Sequence, residues 1–142
     1  MTAFDRYRYA QRLFGERRYT AAARELDRLI TEEREYADGQ GGSAYLGDAP
    51  LLLARAYYHS AQLGKAEQAA RDLIAADPTE VYAVLLLART LQRRGRHGEA
   101  GSWLRRLDAM GYDTWSAQFS PVASDDPDLP DPDPDDGATS AA

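Results

Sequence analysis

The chain of 142 residues contains no cysteine, which excludes disulfides, thiol nucleophiles and cysteine-based metal sites. It has only two histidines, His59 and His97, and no acidic residue stands at metal-ligand spacing from either. No glycine-rich phosphate loop or nucleophile elbow accompanies them. These absences predict a protein that is not an enzyme and that uses no catalytic residue, no metal and no cofactor.

Long apolar runs are also missing. The longest nearly apolar stretch, residues 81–88, is far shorter than the roughly 20 residues that a helix needs to cross a bilayer. Residues 1–10 include Asp5, Arg6 and Arg8 and lack the apolar core of a signal peptide. We therefore predict a soluble cytoplasmic protein with no membrane partner.

A five-residue block occurs twice. The sequence Leu-Leu-Leu-Ala-Arg covers residues 51–55 and returns at 85–89, a shift of 34 residues. When 47–80 is aligned with 81–114, eleven of the 34 positions are identical, which is too many for composition alone. A fixed period of about 20 to 50 residues is typical of stacked supersecondary units, each of which is unable to bury its apolar face alone.

Each unit has the pattern of a hairpin of two amphipathic helices. Apolar residues recur at helical spacing before and after a break near residues 61–64. Alanine recurs at two positions of each unit, where its small size lets neighbouring helix backbones approach closely. These residues are Ala54 and Ala66 in one unit and Ala88 and Ala100 in the next.

Residues at the expected helix ends agree with this layout. Thr2 and Asp5 have the spacing of a capping box, and Asp48 with Pro50 suits the first turn of a helix. Gly95 and Gly111 stand where a helix ends most easily in the left-handed conformation. The local signals and the repeat therefore predict the same helices.

The pattern resembles that of the tetratricopeptide repeat family, in which large apolar, small and aromatic residues alternate over two helices and proline follows. The unit at 47–80 keeps this pattern with Leu53, Ala54, Tyr57, Leu63, Ala66, Ala70, Leu73 and Pro78. The unit at 81–114 keeps it with Leu87, Ala88, Leu91, Gly95, His97, Ala100, Leu104 and Leu107, and has Tyr112 in the proline place. A first unit is visible in Ala10, Leu13, Phe14, Tyr19, Ala22, Leu26 and Leu29.

The resemblance implies an all-α fold, a right-handed α-solenoid of three helix-turn-helix repeats at about 3–34, 47–80 and 81–114. The solenoid would span residues 3–115. The resemblance also implies a non-catalytic adaptor that binds a segment of a protein partner on a concave surface lined by the first helix of each repeat.

Ten residues fall on that surface by family position and helical spacing. They are Tyr7, Arg8, Gln11, Arg55, Tyr58, His59, Tyr82, Arg89, Gln92 and Arg93. We expect a basic and aromatic surface, which suits a protein or peptide partner with acidic and aromatic groups. The clamp with which some members hold chaperone tails is missing, since Leu52 and Leu86 stand at two of its positions.

An insertion separates the first unit from the second, because Ala22 and Ala66 are 44 residues apart, ten more than the period. Gly39, Gly41 and Gly42 disfavour a helix there, so we predict an exposed loop at 35–48. Tyr36 and Tyr45 flank these glycines. We interpret them as anchors of the loop, and the alternative is that they contact a partner.

Residues 116–142 differ in composition from the rest. They contain seven aspartates, five of the seven prolines and no lysine or arginine, which predicts a disordered acidic tail. The tail either confers solubility or folds back weakly on the basic groove. The remaining chain has 17 basic and 16 acidic residues, so its charge argues against a nucleic-acid partner.

The carboxyl-terminal unit has little sequence left to cap it. After Met110, only 111–118 separate the last predicted helix from the acidic tail, although solenoid ends usually need a polar cap. Either Trp115 folds back on this end, or another copy or a partner stacks against it. The alternative function is therefore a self-associating structural or scaffold subunit, and we expect a monomer or a weak homo-oligomer.

Overall fold

A computed structural model describes residues 2–40 and 46–112. These residues form six α-helices and no strand, so the predicted all-α class is confirmed for them. The helices are α1 (Ala3–Gly15), α2 (Tyr19–Gln40), α3 (Ala49–His59), α4 (Leu63–Ala76), α5 (Val81–Arg93) and α6 (His97–Ala109). The predictions about the glycine-rich segment 41–45, Trp115 and the acidic tail 116–142 lie outside the described residues.

The six helices pair into three hairpins, α1 with α2, α3 with α4 and α5 with α6. The two helices of each hairpin are joined by short turns at residues 16–18, 60–62 and 94–96. Each helix packs against the next helix in the chain, and the first helices of successive hairpins, α1 with α3 and α3 with α5, also come into contact. The described helices therefore pack in chain order. No described helix is both long enough and apolar enough to span a membrane.

The three hairpin turns share one backbone geometry. Arg17, Ala61 and Gly95 have positive φ angles of 62°, 61° and 78°. In each turn the next residue donates its backbone N–H to a carbonyl five residues earlier, at 2.9 Å. The predicted helix end at Gly95 is confirmed, as is that at Gly111, where φ is 86°. Arg17 and Ala61 adopt this left-handed conformation although it costs non-glycine residues about 1–2 kcal/mol.

Two predicted helix starts are also confirmed. Thr2 and Asp5 form a complete capping box at the start of α1. Asp48 is the N-cap residue of α3, with Pro50 in the first turn, although the Asp48 side chain makes no capping hydrogen bond. Glu80 caps α5 by accepting a hydrogen bond from the backbone N–H of Tyr82.

The recurring alanines lie in the core. Ala54, Ala66 and Ala88 are fully buried, and Ala100 is 1% exposed. One apolar cluster joins the first hairpin to α3, and a second joins the third hairpin to α4. A smaller cluster connects them and contains Ala54, Tyr58, Ala66 and Leu86. The core therefore continues from one hairpin to the next.

Helix α2 is longer than the sequence predicted, which corrects the start of the loop at 35–48. It continues through Gln40, because residues 31–38 have good helix formers and Ala37 packs against the core at 8% exposure. Gly39 lies in the last turn, where glycine costs little. Tyr36 is 68% exposed, so the interpretation of this residue as a loop anchor was wrong.

An ion-pair ring, formed by Glu67, Arg71, Arg96 and Glu99, joins the second hairpin to the third. Glu67 accepts hydrogen bonds from Arg71 at 3.0 Å and Arg96 at 2.7 Å. Glu99 accepts from the same two arginines at 2.5 and 2.6 Å. Arg94 adds a further hydrogen bond of 2.9 Å to Glu67. These ion pairs therefore add to the apolar contacts between the second and third hairpins.

Both carboxylates of the ring have a lowered pKa. Burial raises the pKa of Glu67, but the hydrogen bond from Arg71 and the charge of Arg96 outweigh it and hold the pKa below the ordinary 4.5. The hydrogen bond from Arg71 is the main cause of the lowered pKa of Glu99. Both groups are therefore charged at neutral pH.

Candidate binding groove

A groove of about 920 Å³ lies along the first helices of the hairpins. Helix α1 contributes Tyr7 and Gln11, and α3 contributes Leu51, Arg55 and His59. Residues four apart share one helix face, so each helix presents a continuous row of side chains. The start of α5, the residue before α3 and the turn between α1 and α2 complete the lining. The whole lining consists of Tyr7, Gln11, Phe14, Gly15, Arg17, Tyr19, Asp48, Leu51, Leu52, Arg55, His59, Glu80 and Tyr82.

Five of the ten predicted surface residues belong to this lining. They are Tyr7, Gln11, Arg55, His59 and Tyr82. Tyr82 is 47% exposed, which leaves much of its ring open to a partner. Half of the residues predicted from family positions and helical spacing therefore line one groove, together with residues that were not predicted.

The other five predicted residues lie outside this lining. The guanidinium of the exposed Arg8 lies 5.9 Å from the ring centre of Phe4. Tyr58 and Arg89 are buried, at 6% and 5% exposure, and Arg89 donates a hydrogen bond to Gln92. Arg93 donates to the backbone carbonyl of Tyr58 and covers its ring at 4.7 Å. Tyr58 and Arg93 therefore contact each other where α3 packs against α5.

One end of the groove is basic and aromatic, and we call it the basic end. The ring of His59 stacks on Tyr19 with 4.8 Å between ring centres, and its edge meets Phe14 at 5.7 Å. The guanidinium of Arg55 lies 5.1 Å from the centre of the Phe14 ring. Arg17, in the turn between α1 and α2, adds a second guanidinium to the same part of the lining. The basic end thus offers positive charge on an aromatic floor.

The opposite end, which we call the acidic end, has carboxylates beside tyrosines. Asp48 and Glu80 stand at the amino-terminal ends of α3 and α5, and Tyr7 and Tyr82 belong to the same lining. Burial raises the pKa of Tyr7, and the charge of Asp48 raises it further. The expected basic surface is therefore corrected to one that changes sign along its length.

A second cavity of about 460 Å³ adjoins the acidic end. It shares Tyr7, Gln11 and Asp48 with the groove and adds the exposed Phe4 and a third carboxylate, Glu33. Glu33 lies on α2, whose length brings its second half beside the start of α3. The acidic end therefore extends toward the first hairpin.

Two kinds of groove residue were not predicted from the sequence. Asp48 and Glu80 immediately precede α3 and α5, and acidic residues at two successive helix starts were a usable signal. Arg17 and Tyr19 come from a turn and from the start of a second helix. The predicted surface included only residues of the first helices, so Arg17 and Tyr19 were not part of it.

The groove has the chemistry of noncovalent recognition, with aromatic faces, amide groups and charges of both signs. Among residues 2–40 and 46–112, no group of three histidine or acidic residues is arranged to hold a metal ion. No protein family, no curated protein and no solved structure matches the chain. The comparisons therefore assign it to no family.

Proposed function

We propose that the protein is a non-catalytic interaction module that binds a segment of a partner protein in the groove. The observation that carries this proposal is the lining itself, in which α1, α3 and α5 present rows of aromatic, amide and charged side chains along one face. Its volume is at the upper end of the range of about 300–1,000 Å³ that is usual for ligand sites. A short peptide segment has matching dimensions.

The proposed architecture is the right-handed, three-repeat solenoid that the resemblance implies. The packing in chain order, the shared turn geometry at Arg17, Ala61 and Gly95, and the buried alanines at equivalent positions support it. In such an array the first helices form one surface, which agrees with their contribution to the groove.

Selection of a displayed random-peptide library on the full chain tests the proposed function. Tyr82→Ala and Gln11→Ala remove groove side chains without opening a buried core position. We expect Tyr82→Ala to weaken the selected peptides by about fivefold or more and Gln11→Ala by less, because tyrosine is enriched among the contact residues that each contribute more than about 1 kcal/mol. Tyr36→Ala is the matched control, since that tyrosine is 68% exposed and lies outside the lining. Peptides that bind the groove variants as tightly as the wild type would overturn the proposal.

A second candidate function is self-association as a structural subunit. Exposed aromatic residues are concentrated on the first hairpin, where Phe4 is 66%, Tyr9 36% and Tyr36 68% exposed. Such residues form apolar surface that another copy can cover. Light scattering at two protein concentrations distinguishes this function, because a molar mass that stays at the monomer value excludes it.

The acidic segment 116–142 is a proposed competitor at the basic end of the groove. Its seven aspartates complement Arg17 and Arg55, and each exposed pair contributes only about 0.2–1 kcal/mol. Deletion of residues 121–142 should therefore strengthen peptide binding at low salt. An affinity that does not change on deletion removes the competition from the proposal.

A further inference from the structure

The groove is electrically polarised along the first helices. Asp48 and Glu80 line its acidic end, while Arg17 and Arg55 give the positive charge of its basic end, where His59 also lies. Glu33 in the adjoining cavity adds to the acidic end. Charges of opposite sign therefore face the same continuous space from opposite ends.

The repeat itself accounts for this separation. Each first helix is followed by a short turn and a second helix, so the first helices of successive hairpins run in the same direction. Acidic residues favour helix amino termini and basic residues favour carboxyl termini, because they complement the helix dipole. Asp48 and Glu80 precede two such helices, whereas His59 ends α3 and Arg17 follows α1. Because the first helices are parallel, their acidic starts lie at one end of the groove and their basic ends lie at the other.

The length of α3 sets the distance between the two ends. It has 11 residues from Ala49 to His59. At a rise of 1.5 Å per residue, its ends are about 16 Å apart. An extended peptide covers this distance in about five residues at roughly 3.3 Å each.

We propose that the groove binds an extended segment of a partner protein that carries a cationic side chain and a carboxylate about five residues apart. The cation lies at the acidic end and the carboxylate at the basic end. This inference rests on the proposed function and specifies the chemistry of the partner at the same site.

The side chains at each end suit these two groups. Tyr7 and Tyr82 offer aromatic faces beside the carboxylates, and such faces attract ammonium and guanidinium groups. Arg17 follows α1 and Arg55 lies one turn before the end of α3, and both carry guanidinium groups, which bind carboxylates in a planar, two-hydrogen-bond geometry. A segment with two like charges would meet repulsion at one end.

The test uses synthetic peptides that contain one lysine and one aspartate, blocked at both termini. The two charges stand about two, five or ten positions apart, with neutral residues between them, which gives reaches below, near and above the 16 Å estimate. Binding to the full chain is measured by fluorescence anisotropy at low salt. We expect the peptide with charges about five positions apart to bind about threefold tighter than the other two, because only it satisfies both exposed ion pairs.

Charge-neutralising variants assign each peptide charge to one end. Asp48→Asn should weaken the lysine–aspartate peptide about threefold and should not affect a peptide in which glutamine replaces the lysine. Arg17→Gln should also weaken the lysine–aspartate peptide about threefold, and it should not affect a peptide that lacks the aspartate charge. Asp27→Asn and Arg24→Gln are matched controls, because both residues are exposed on α2 and lie outside the groove lining. Circular dichroism confirms that each variant retains its helices.

The outcomes separate this inference from the proposed function. If affinity does not depend on spacer length, or if either variant weakens all peptides equally, the polarised recognition is wrong. If binding of the displayed peptides still depends on Tyr82 and Gln11, the proposed function is retained. If no peptide of either kind depends on the groove, both proposals fail.

Discussion

The second and third hairpins carry the same five-residue block in different surroundings. In α3, Leu51 and Arg55 are partly exposed and line the groove. In α5, their counterparts Leu85 and Arg89 are only 6% and 5% exposed. Tyr112, which follows α6, packs against the same apolar cluster as Leu85. An identical sequence therefore lines the groove in one repeat and lies in the interior in the next.

The difference shows which properties the repeat determines. Position within the unit determines which helix face a side chain occupies, so both copies point in equivalent directions. Exposure depends on the neighbouring hairpin and on the chain that follows it. Equivalent substitutions in the two hairpins should therefore have unequal effects, and four matched pairs of positions measure this.

The largest difference is expected at the core leucines Leu53 and Leu87. Leu87 is fully buried and Leu53 is 9% exposed. We expect Leu87→Ala to lower the free energy of unfolding by about 3–5 kcal/mol and Leu53→Ala by about 2–3 kcal/mol, because a better-enclosed site leaves a larger cavity. Urea unfolding of the two variants measures both values. Equal losses would contradict the claim that α5 is the more enclosed helix.

The ion-pair ring gives the next largest effect. Glu67→Gln should cost about 1–2 kcal/mol at neutral pH, since three arginines lose a charged acceptor. Its counterpart in the third hairpin is Gly101, where an added methyl group would meet only the end of the Arg105 side chain, at 3.5 Å. Gly101→Ala is therefore expected to be neutral or slightly stabilising, as alanine favours a helix.

The contribution of Glu67 should also depend on pH. Its pKa in the folded protein is below the ordinary 4.5, so its charge stabilises the fold fully above that value. As the pH falls through the lowered pKa, Glu67 becomes protonated and the stabilisation is lost. Urea midpoints of the wild type and Glu67→Gln should thus differ at pH 7, and this difference should decrease as the pH falls below 4.5. If this stability difference persists at the lower pH, the ion-pair ring is not its source.

The two arginines of the repeated block should separate stability from binding. Arg89→Ala should cost about 1 kcal/mol through lost packing and the lost hydrogen bond to Gln92, with no change in peptide affinity. Arg55→Ala should cost about 0.5 kcal/mol, because it removes the contact with the Phe14 ring, and should weaken groove peptides. Urea unfolding and fluorescence anisotropy report the two effects. Reduced peptide affinity of Arg89→Ala would place that residue in the binding site.

The last matched pair of positions lies in the hairpin turns. Ala61 and Gly95 occupy equivalent positive-φ positions, and an added side-chain carbon at Gly95 would meet no atom within 4 Å. Ala61→Gly should stabilise the protein by about 0.5–1 kcal/mol, and Gly95→Ala should destabilise it by a similar amount. Thermal unfolding of both variants checks the opposite signs. Changes of the same sign would show that backbone strain does not govern these turns.

The sequence predicted the helices and their register well because those features depend on local and periodic signals. The buried Ala54 and Ala88, the capping box at Thr2 and the turn at Gly95 are such features. The burial of Arg89 was not predictable in this way, because it depends on packing against other helices. Whether α2 would stop before or after Tyr36 depended on the packing of Ala37, which helix propensity alone does not reveal.

The mixed charge of the groove was missed for a different reason. The expectation followed the faces of the first helices, whereas Asp48 and Glu80 belong to the residues that start them. Their carboxylates enter the groove only because α3 and α5 begin beside the same space. Helix-end residues therefore have to be considered together with helix faces when such a surface is predicted.

The ion-pair ring makes one boundary between hairpins sensitive to salt. It joins the second hairpin to the third, whereas the boundary between the first two hairpins at the groove is formed by the rings of Phe14, Tyr19 and His59. Salt screens ion pairs between partly exposed groups much more than it affects packing between rings. We therefore expect high salt to loosen the contact between the second and third hairpins more than the contact between the first two.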